Sequence, residues 1–171
     1  MGGYNHNVPD FEEMSMKKRF VRFALIGLVV LAVGACGSDD DGGGYGEVAD
    51  AAQAKRTVDV TITQAKRYEP ASITVAPGEV VTFKVTNAAS ELHEFMLGDE
   101  KVHDDHDGEM ADMSMASMKM ADQPNLLGLD PGETKQVTWK FPDKDGATVI
   151  YGSHVPGDYT GGLKGTITVA E

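Results

Sequence analysis

Histidine and methionine side chains are concentrated in one stretch of the sequence, between Met96 and Gln123. This stretch holds six of the nine methionines and two of the five histidines of the chain. Its candidate metal ligands are His103, His106, Met110, Met113, Met115, Met118 and Met120. Imidazole nitrogens suit Cu(II) and Zn(II), whereas thioether sulfurs are soft and select Cu(I). The pattern therefore predicts a copper-binding segment that holds Cu(I) through sulfur and Cu(II) through imidazole.

The spacing of the methionines leaves two other structures open for this stretch. Met110, Met113 and Met120 would share one face of a helix, as would Met115 and Met118, so an amphipathic helix packed on the domain is one alternative. The aspartate, glycine and serine residues around them are also typical of disordered chain, which is the other alternative.

The remaining composition excludes several classes of protein. A formal net charge of −12 argues against a nucleic-acid partner, because a protein that binds nucleic acid needs a basic surface to contact the phosphates. A single cysteine excludes an intramolecular disulfide framework and any metal site built from several thiolates. The 20 glycines and 7 prolines suit a β domain rich in turns.

The first part of the chain has the pattern of an export signal. The basic residues Lys17, Lys18, Arg19 and Arg22 precede an uncharged run over residues 23–35. That run is shorter than the roughly 20 residues needed to cross a bilayer as a helix, and it is typical of a secretory signal peptide. Acidic residues precede the basic group, which predicts that translation starts at Met14 or Met16.

The end of this signal predicts a lipid anchor. The sequence Val33-Gly34-Ala35-Cys36 resembles the bacterial lipobox, in which the cysteine is acylated, for example with palmitate, and becomes the mature N-terminus. We therefore predict a signal peptide over residues 1–35, lipid attachment at Cys36, and export to the outer face of a bacterial membrane, at the cell surface or in the periplasm. An ordinary signal peptide followed by a free thiol is the alternative.

A flexible tether and one β domain follow the signal. Residues 36–55 are rich in glycine and aspartate and lack apolar periodicity, which predicts the tether. From residue 56 to residue 171, short runs alternate between apolar and polar residues, as Val58, Val60 and Ile62 do, and Pro-Gly turns separate them. Seven such runs predict a Greek-key antiparallel β-sandwich, with the histidine- and methionine-rich insertion at about 99–124.

Three stretches of this domain resemble the cupredoxins, the superfamily of copper-binding β-sandwiches that includes plastocyanin and azurin. They are residues 70–85, residues 88–95 with His93-Glu94-Phe95, and residues 151–169 with the turn Pro156-Gly157-Asp158-Tyr159. In the branch of the cupredoxins that this chain resembles, the type 1 copper ligands are one histidine and the three residues of a Cys-x4-His-x4-Met pattern. His93 is retained here, but Ser153, Asp158 and Leu163 occupy the other three positions.

The resemblance implies a degenerate type 1 copper site. Serine cannot replace a thiolate, and leucine has no donor atom, so blue-copper electron transfer is not expected. His93 is a candidate metal ligand beside Asp158, and a simple hydrogen-bonded pair is the alternative. His154 should point away from Ser153, because neighbours in a strand face opposite sides, which also argues against a hydrolytic triad with Asp158.

Together these features predict a lipid-anchored copper-binding protein of the cell envelope that acts as a chaperone or a buffer and not as an enzyme. Its expected partners are the membrane and a protein that donates or accepts the metal. A metal-free interaction module and an electron carrier are the alternatives.

Overall fold

A computed structural model describes residues 44–111 and 122–171 of the chain. The predictions for the signal peptide, the translation start and Cys36, and those for Met113, Met115, Met118 and Met120, lie outside these residues. None of the helices in the described ranges is both long and apolar enough to cross a membrane.

The described residues form ten strands, two α-helices and a short 3₁₀ turn at Ala51–Gln53. In chain order the strands and α-helices are β1 (Glu47–Val48), β2 (Arg56–Ile62), β3 (Tyr68–Glu69), β4 (Ser72–Val75), β5 (Val80–Asn87), β6 (His93–Gly98), α1 (Glu100–Ala111), β7 (Leu126–Leu129), β8 (Thr134–Lys140), β9 (Thr148–Gly152), α2 (Asp158–Gly161) and β10 (Lys164–Val169).

The strands build two five-stranded sheets. One sheet has the order β1-β8-β5-β2-β3 and the other the order β4-β10-β9-β6-β7. The predicted β-sandwich is therefore confirmed. It is not wholly antiparallel, because β2 pairs with β5 and β4 pairs with β10 in parallel.

Alternating side chains explain why these segments form strands with one face in a shared core. In β10, Gly165, Ile167 and Val169 are buried while the residues between them are exposed. Aromatic rings fill the centre of the sandwich, where Phe95 lies 5.7 Å from Phe83 and 5.4 Å from Tyr151, centroid to centroid. Each ring buries a large apolar area, so this cluster stabilises the contact between the two sheets.

The folded domain begins before residue 56, where the pattern placed its start. Tyr45 stacks on Trp139 with ring centroids 5.8 Å apart, and its carbonyl accepts a 2.9 Å hydrogen bond from Trp139 Nε1. β1 then pairs with the edge of β8, and Asp50 caps the 3₁₀ turn that follows. Two-residue strands carry no periodicity to detect, which is why the pattern did not predict β1.

Residues 100–111 of the insertion form the helix α1, which contains Met110, while the other methionines of the proposed amphipathic helix lie outside the described residues. α1 starts after Asp99, whose carboxylate accepts a 2.9 Å hydrogen bond from the backbone N–H of Val102. Over residues 100–110 of this helix, the buried ones are His103, His106 and Met110, at positions i, i+3 and i+7. That spacing puts all three on one face, which packs on the sandwich.

Candidate metal-binding site

Two clusters of polar side chains lie where β9 ends and β6 begins. The inner cluster consists of His93, Ser153 and Asp158. The outer cluster consists of Glu94, His103, His106, Asp107 and His154. Consecutive residues contribute to both clusters, because His93 and Ser153 belong to the inner one and Glu94 and His154 to the outer one.

The inner cluster is held by one carboxylate oxygen. Asp158 Oδ2 accepts hydrogen bonds from His93 Nδ1 and from Ser153 Oγ, both at 2.6 Å. The backbone N–H of Glu94 donates to Ser153 Oγ at 3.1 Å. His93 and Ser153 are fully buried and Asp158 is 2 % exposed, so this network is shielded from water.

The residues of the inner cluster do not fit a type 1 copper ion. Leu163 is fully buried among the apolar core residues and offers no donor atom at the position of the axial methionine. The hydroxyl of Ser153 is a hard donor and is already bonded to Asp158 Oδ2, as is His93 Nδ1. The chemistry of a copper–thiolate bond is therefore absent from this pocket.

The outer cluster brings α1 against the residue that follows Ser153. His103 Nδ1 lies 2.9 Å from His154 Nε2, although 51 residues separate them in the sequence. The ring of His106 is 5.2 Å from that of His154, and His106 Nε2 lies 3.5 Å from Glu94 Oε2. Glu94 Oε2 also accepts a 3.0 Å hydrogen bond from the backbone N–H of His154.

Burial governs the charge of the histidines in the outer cluster. Desolvation lowers the pKa of His103 to about 4, and the neighbouring imidazoles act in the same direction. Desolvation also lowers the pKa of His154, although Asp107 opposes it. The pKa of His106 is raised, chiefly by its contact with Glu94. His103 and His154 are therefore neutral at pH 7, so each imidazole keeps a lone pair.

Close packing fixes the position of His154, whose side chain is fully buried. Its ring stacks on Tyr159 with centroids 4.4 Å apart. Gly152 permits this approach, because a Cβ atom there would lie 2.7 Å from Tyr159 Cε2. A surface cleft of about 230 Å³ opens beside this stack, and its lining includes Asp107, Met110, His154, Pro156 and Tyr159.

Comparisons with known proteins identify the family. No family model matches the chain. The chain is 31% identical over 179 residues to a protein of Pseudomonas aeruginosa described as the copper-resistant cuproprotein CopI, and the match covers 89% of this chain and 97% of that protein. The chain belongs to the CopI family. The CopI protein of Rubrivivax gelatinosus is 34% identical over 125 residues, which cover 73% of each chain.

Solved structures confirm the cupredoxin-like fold. Auracyanin B is similar with a TM-score of 0.59 and 26% identity, covering 74% of this chain and 96% of its own. An azurin from Methylomonas is similar with a TM-score of 0.51 and 18% identity, covering 69% of this chain and all of its own, and this likeness concerns the fold alone.

In this CopI-family chain, the predicted ligands lie in different places. His103, His106 and Met110 come together on the buried face of α1, whereas His93 lies in the inner cluster, bonded to Asp158. Over the described ranges, no group of three or more histidine, cysteine, aspartate or glutamate side chains is already arranged around a metal position.

Sequence reasoning missed His154 as a member of the outer cluster. The expected divergence from Ser153 is observed, because Ser153 contacts Asp158 while His154 Nδ1 contacts Asp107. No local pattern indicates what His154 contacts, since its partner His103 lies on a helix inside the insertion. The helical spacing of His103, His106 and Met110 was the available signal for a ligand-bearing helix face.

Proposed function

We propose that this chain binds copper as cargo in the bacterial cell envelope, as a chaperone or a buffer, through α1 and the methionines that follow it. The observation that carries the proposal is the buried face of α1. A helix normally packs through apolar side chains, whereas α1 turns His103 and His106 inward beside Met110. Their partners are polar groups, such as the carbonyl of Ile150 for His103 and the carboxylate of Glu94 for His106, so this face gathers donor atoms and does not form an apolar core.

The donor set of this face suits both oxidation states of copper. Met110 provides a thioether, which prefers Cu(I), and it lines the cleft beside His154. His103 and His106 provide imidazole nitrogens, which suit Cu(II). The names of the CopI relatives, which describe copper-resistant cuproproteins, support copper over zinc as the cargo. Ligand exchange with a donor or acceptor protein of the envelope would then move the metal on.

Equilibrium dialysis of the full chain against Cu(I) and against Cu(II) tests the proposal. We expect both ions to bind. Replacing Met110, Met113, Met115, Met118 and Met120 together by leucine should remove most Cu(I) binding and leave Cu(II) binding, because only the thioethers are lost. Met96→Leu is the matched control, since Met96 is a buried methionine of β6 outside α1 and the stretch that follows it. Absence of binding for both ions would refute the proposal.

The lipid anchor is a separate part of the proposal, supported by the sequence around Cys36. Export followed by acylation would hold the domain at a membrane while the copper-binding face stays in the aqueous compartment. Cys36→Ser should release the chain from the membrane fraction and abolish labelling by radioactive palmitate. Unchanged membrane association of Cys36→Ser would contradict this part and would leave the copper-binding part intact.

A further inference from the structure

A lysine side chain lies beside the buried carboxylate of the inner cluster. Among the described residues, Asp158 Oδ1 has no hydrogen-bond partner, and Lys66 Nζ is 3.8 Å from it. Lys66 belongs to the turn between β2 and β3, and its side chain is 48 % exposed. The carboxylate of Asp158 therefore has a positive charge near one oxygen and accepts two hydrogen bonds on the other, from His93 and Ser153.

The polar atoms of the inner cluster are too close together to surround a metal ion. His93 Nδ1 and Ser153 Oγ each lie 2.6 Å from Asp158 Oδ2. Ligand atoms that share an ion at a distance of about 2.0 Å in a trigonal arrangement lie about 3.5 Å from one another. Both donors point at Oδ2 itself, so the point on which they converge is taken by an oxygen atom.

The backbone of Asp158 holds the carboxylate in this position. Its N–H donates to the carbonyl oxygen of Val155 at 2.8 Å, and its carbonyl oxygen accepts from the N–H of Leu163 at 2.9 Å. Its side chain is 1 % exposed. The carboxylate can make room for an ion only by breaking its buried hydrogen bonds to His93 and Ser153, which is costly for all three groups.

We propose that Asp158 and Lys66 replace the metal ion of this fold and close the inner cluster to metals. In the cupredoxins that the chain resembles, one copper ion links the positions of His93, Ser153 and Asp158 and supplies positive charge. In this chain, the hydrogen bonds of Asp158 make the link, and the ammonium group of Lys66 supplies the charge. The inference concerns the inner cluster alone, so it stands or falls independently of copper binding by α1.

A thiol introduced at position 153 tests whether Asp158 keeps a metal out. Ser153→Cys is compared with the double variant Ser153→Cys/Asp158→His, in full chains that also carry Cys36→Ser, so that the introduced thiol is the only one in the sequence. The probe is Co(II), which thiols do not reduce and whose bond to a thiolate absorbs strongly in the near ultraviolet. Thermal unfolding, followed by the fluorescence of Trp139, checks that each variant folds.

The two variants should behave differently. Ser153→Cys should show no thiolate band with Co(II), because Asp158 still takes the point that the donors face. The double variant should gain the band and bind one more Co(II) per chain than Ser153→Cys, because the new imidazole completes a set of two histidines and a thiolate.

Either of two results would overturn the exclusion of metal by Asp158. One is a Co(II)–thiolate band in Ser153→Cys, which would show that an ion enters while Asp158 is in place. The other is a folded double variant that lacks the band, which would show that Asp158 is not the group that keeps the ion out. Ser153→Cys changes a single side-chain atom, so the first result stays measurable if the double variant fails to fold.

Lys66→Met tests the charge that Lys66 supplies. In urea unfolding with a strong chelator present, it should raise the equilibrium constant of unfolding about 5-fold, the upper end of the effect of a partly exposed ion pair. Lys84→Met is the matched control, because the Lys84 side chain is 47 % exposed and its Nζ lies 3.9 Å from the exposed carboxylate of Asp59. Glu91→Gln removes the other ion pair of Lys66, in which Nζ lies 2.5 Å from Glu91 Oε2. An effect of Lys66→Met no larger than that of either control would overturn the role of Lys66.

Discussion

Replacing Asp158 by alanine should destabilise the metal-free domain strongly. Among the described residues, Asp158 is the one acceptor for two buried donors of the inner cluster, His93 Nδ1 and Ser153 Oγ, and the change removes it. Each buried donor left without a partner costs about 1–3 kcal/mol, so Asp158→Ala should lower the free energy of unfolding by about 2–6 kcal/mol. This is a large part of the roughly 5–15 kcal/mol by which a typical domain is stable.

Urea unfolding of the full chain in the presence of a strong metal chelator measures this effect. Trp139 is the single tryptophan of the sequence and is 3 % exposed, so its fluorescence reports unfolding of the domain. Asp59→Ala is the matched control, because the Asp59 side chain is 80 % exposed and its nearest cation, Lys84 Nζ, is 3.9 Å away. The control should change the free energy of unfolding by about 0.5 kcal/mol or less.

Two results would refute the reasoning. The first is an Asp158→Ala variant as stable as the Asp59→Ala control, which would show that water or a rearrangement satisfies His93 and Ser153. The second is a wild-type domain that unfolds once the chelator is added. In that case a metal, and not the hydrogen bonds of Asp158, would hold the inner cluster together.

Two further changes have measurable consequences. Gly152→Ala places a Cβ atom 2.7 Å from Tyr159 Cε2, so it should destabilise the domain by about 1–3 kcal/mol in urea unfolding. Unchanged stability would contradict the close packing. Tyr45→Ala removes the ring stacked on Trp139, so it should lower the free energy of unfolding by about 1 kcal/mol and shift the tryptophan emission to longer wavelength. An unaltered emission spectrum would show that Tyr45 does not cover Trp139.

Strands with one buried face could be predicted from the sequence, and so could the apolar run of β6, whereas β7 could not. β2 and β10 alternate between apolar and polar residues, which is the signal of a half-buried strand. β7 has the sequence Leu-Leu-Gly-Leu and is buried throughout, so it shows no alternation. The parallel pairing of β2 with β5 also depends on the path of the chain between them, which the local pattern does not contain.

The candidate site was partly predictable for a similar reason. His103, His106 and Met110 stand out because metal-ligating residues repeat within one short segment. His154 belongs to the site only through its contact with His103 on α1. A contact between residues 51 positions apart produces no periodic pattern in a single sequence. The loss of the type 1 ligands at Ser153, Asp158 and Leu163 could be predicted from the sequence. The hydrogen bonds that join Asp158 to His93 and Ser153 could be seen only in the structure.

A single peptide unit separates the two clusters in each of two segments: the one that joins His93 to Glu94 and the one that joins Ser153 to His154. The N–H of the second unit, which belongs to His154, is bonded to Glu94 Oε2 at 3.0 Å, and the Ser153 side chain is bonded to Asp158. Because the peptide unit is planar and rigid, this N–H lies in the fixed plane that joins the Cα atoms of Ser153 and His154, between the two side chains. The chemical shift of the His154 amide in an NMR spectrum should therefore respond to changes in either cluster.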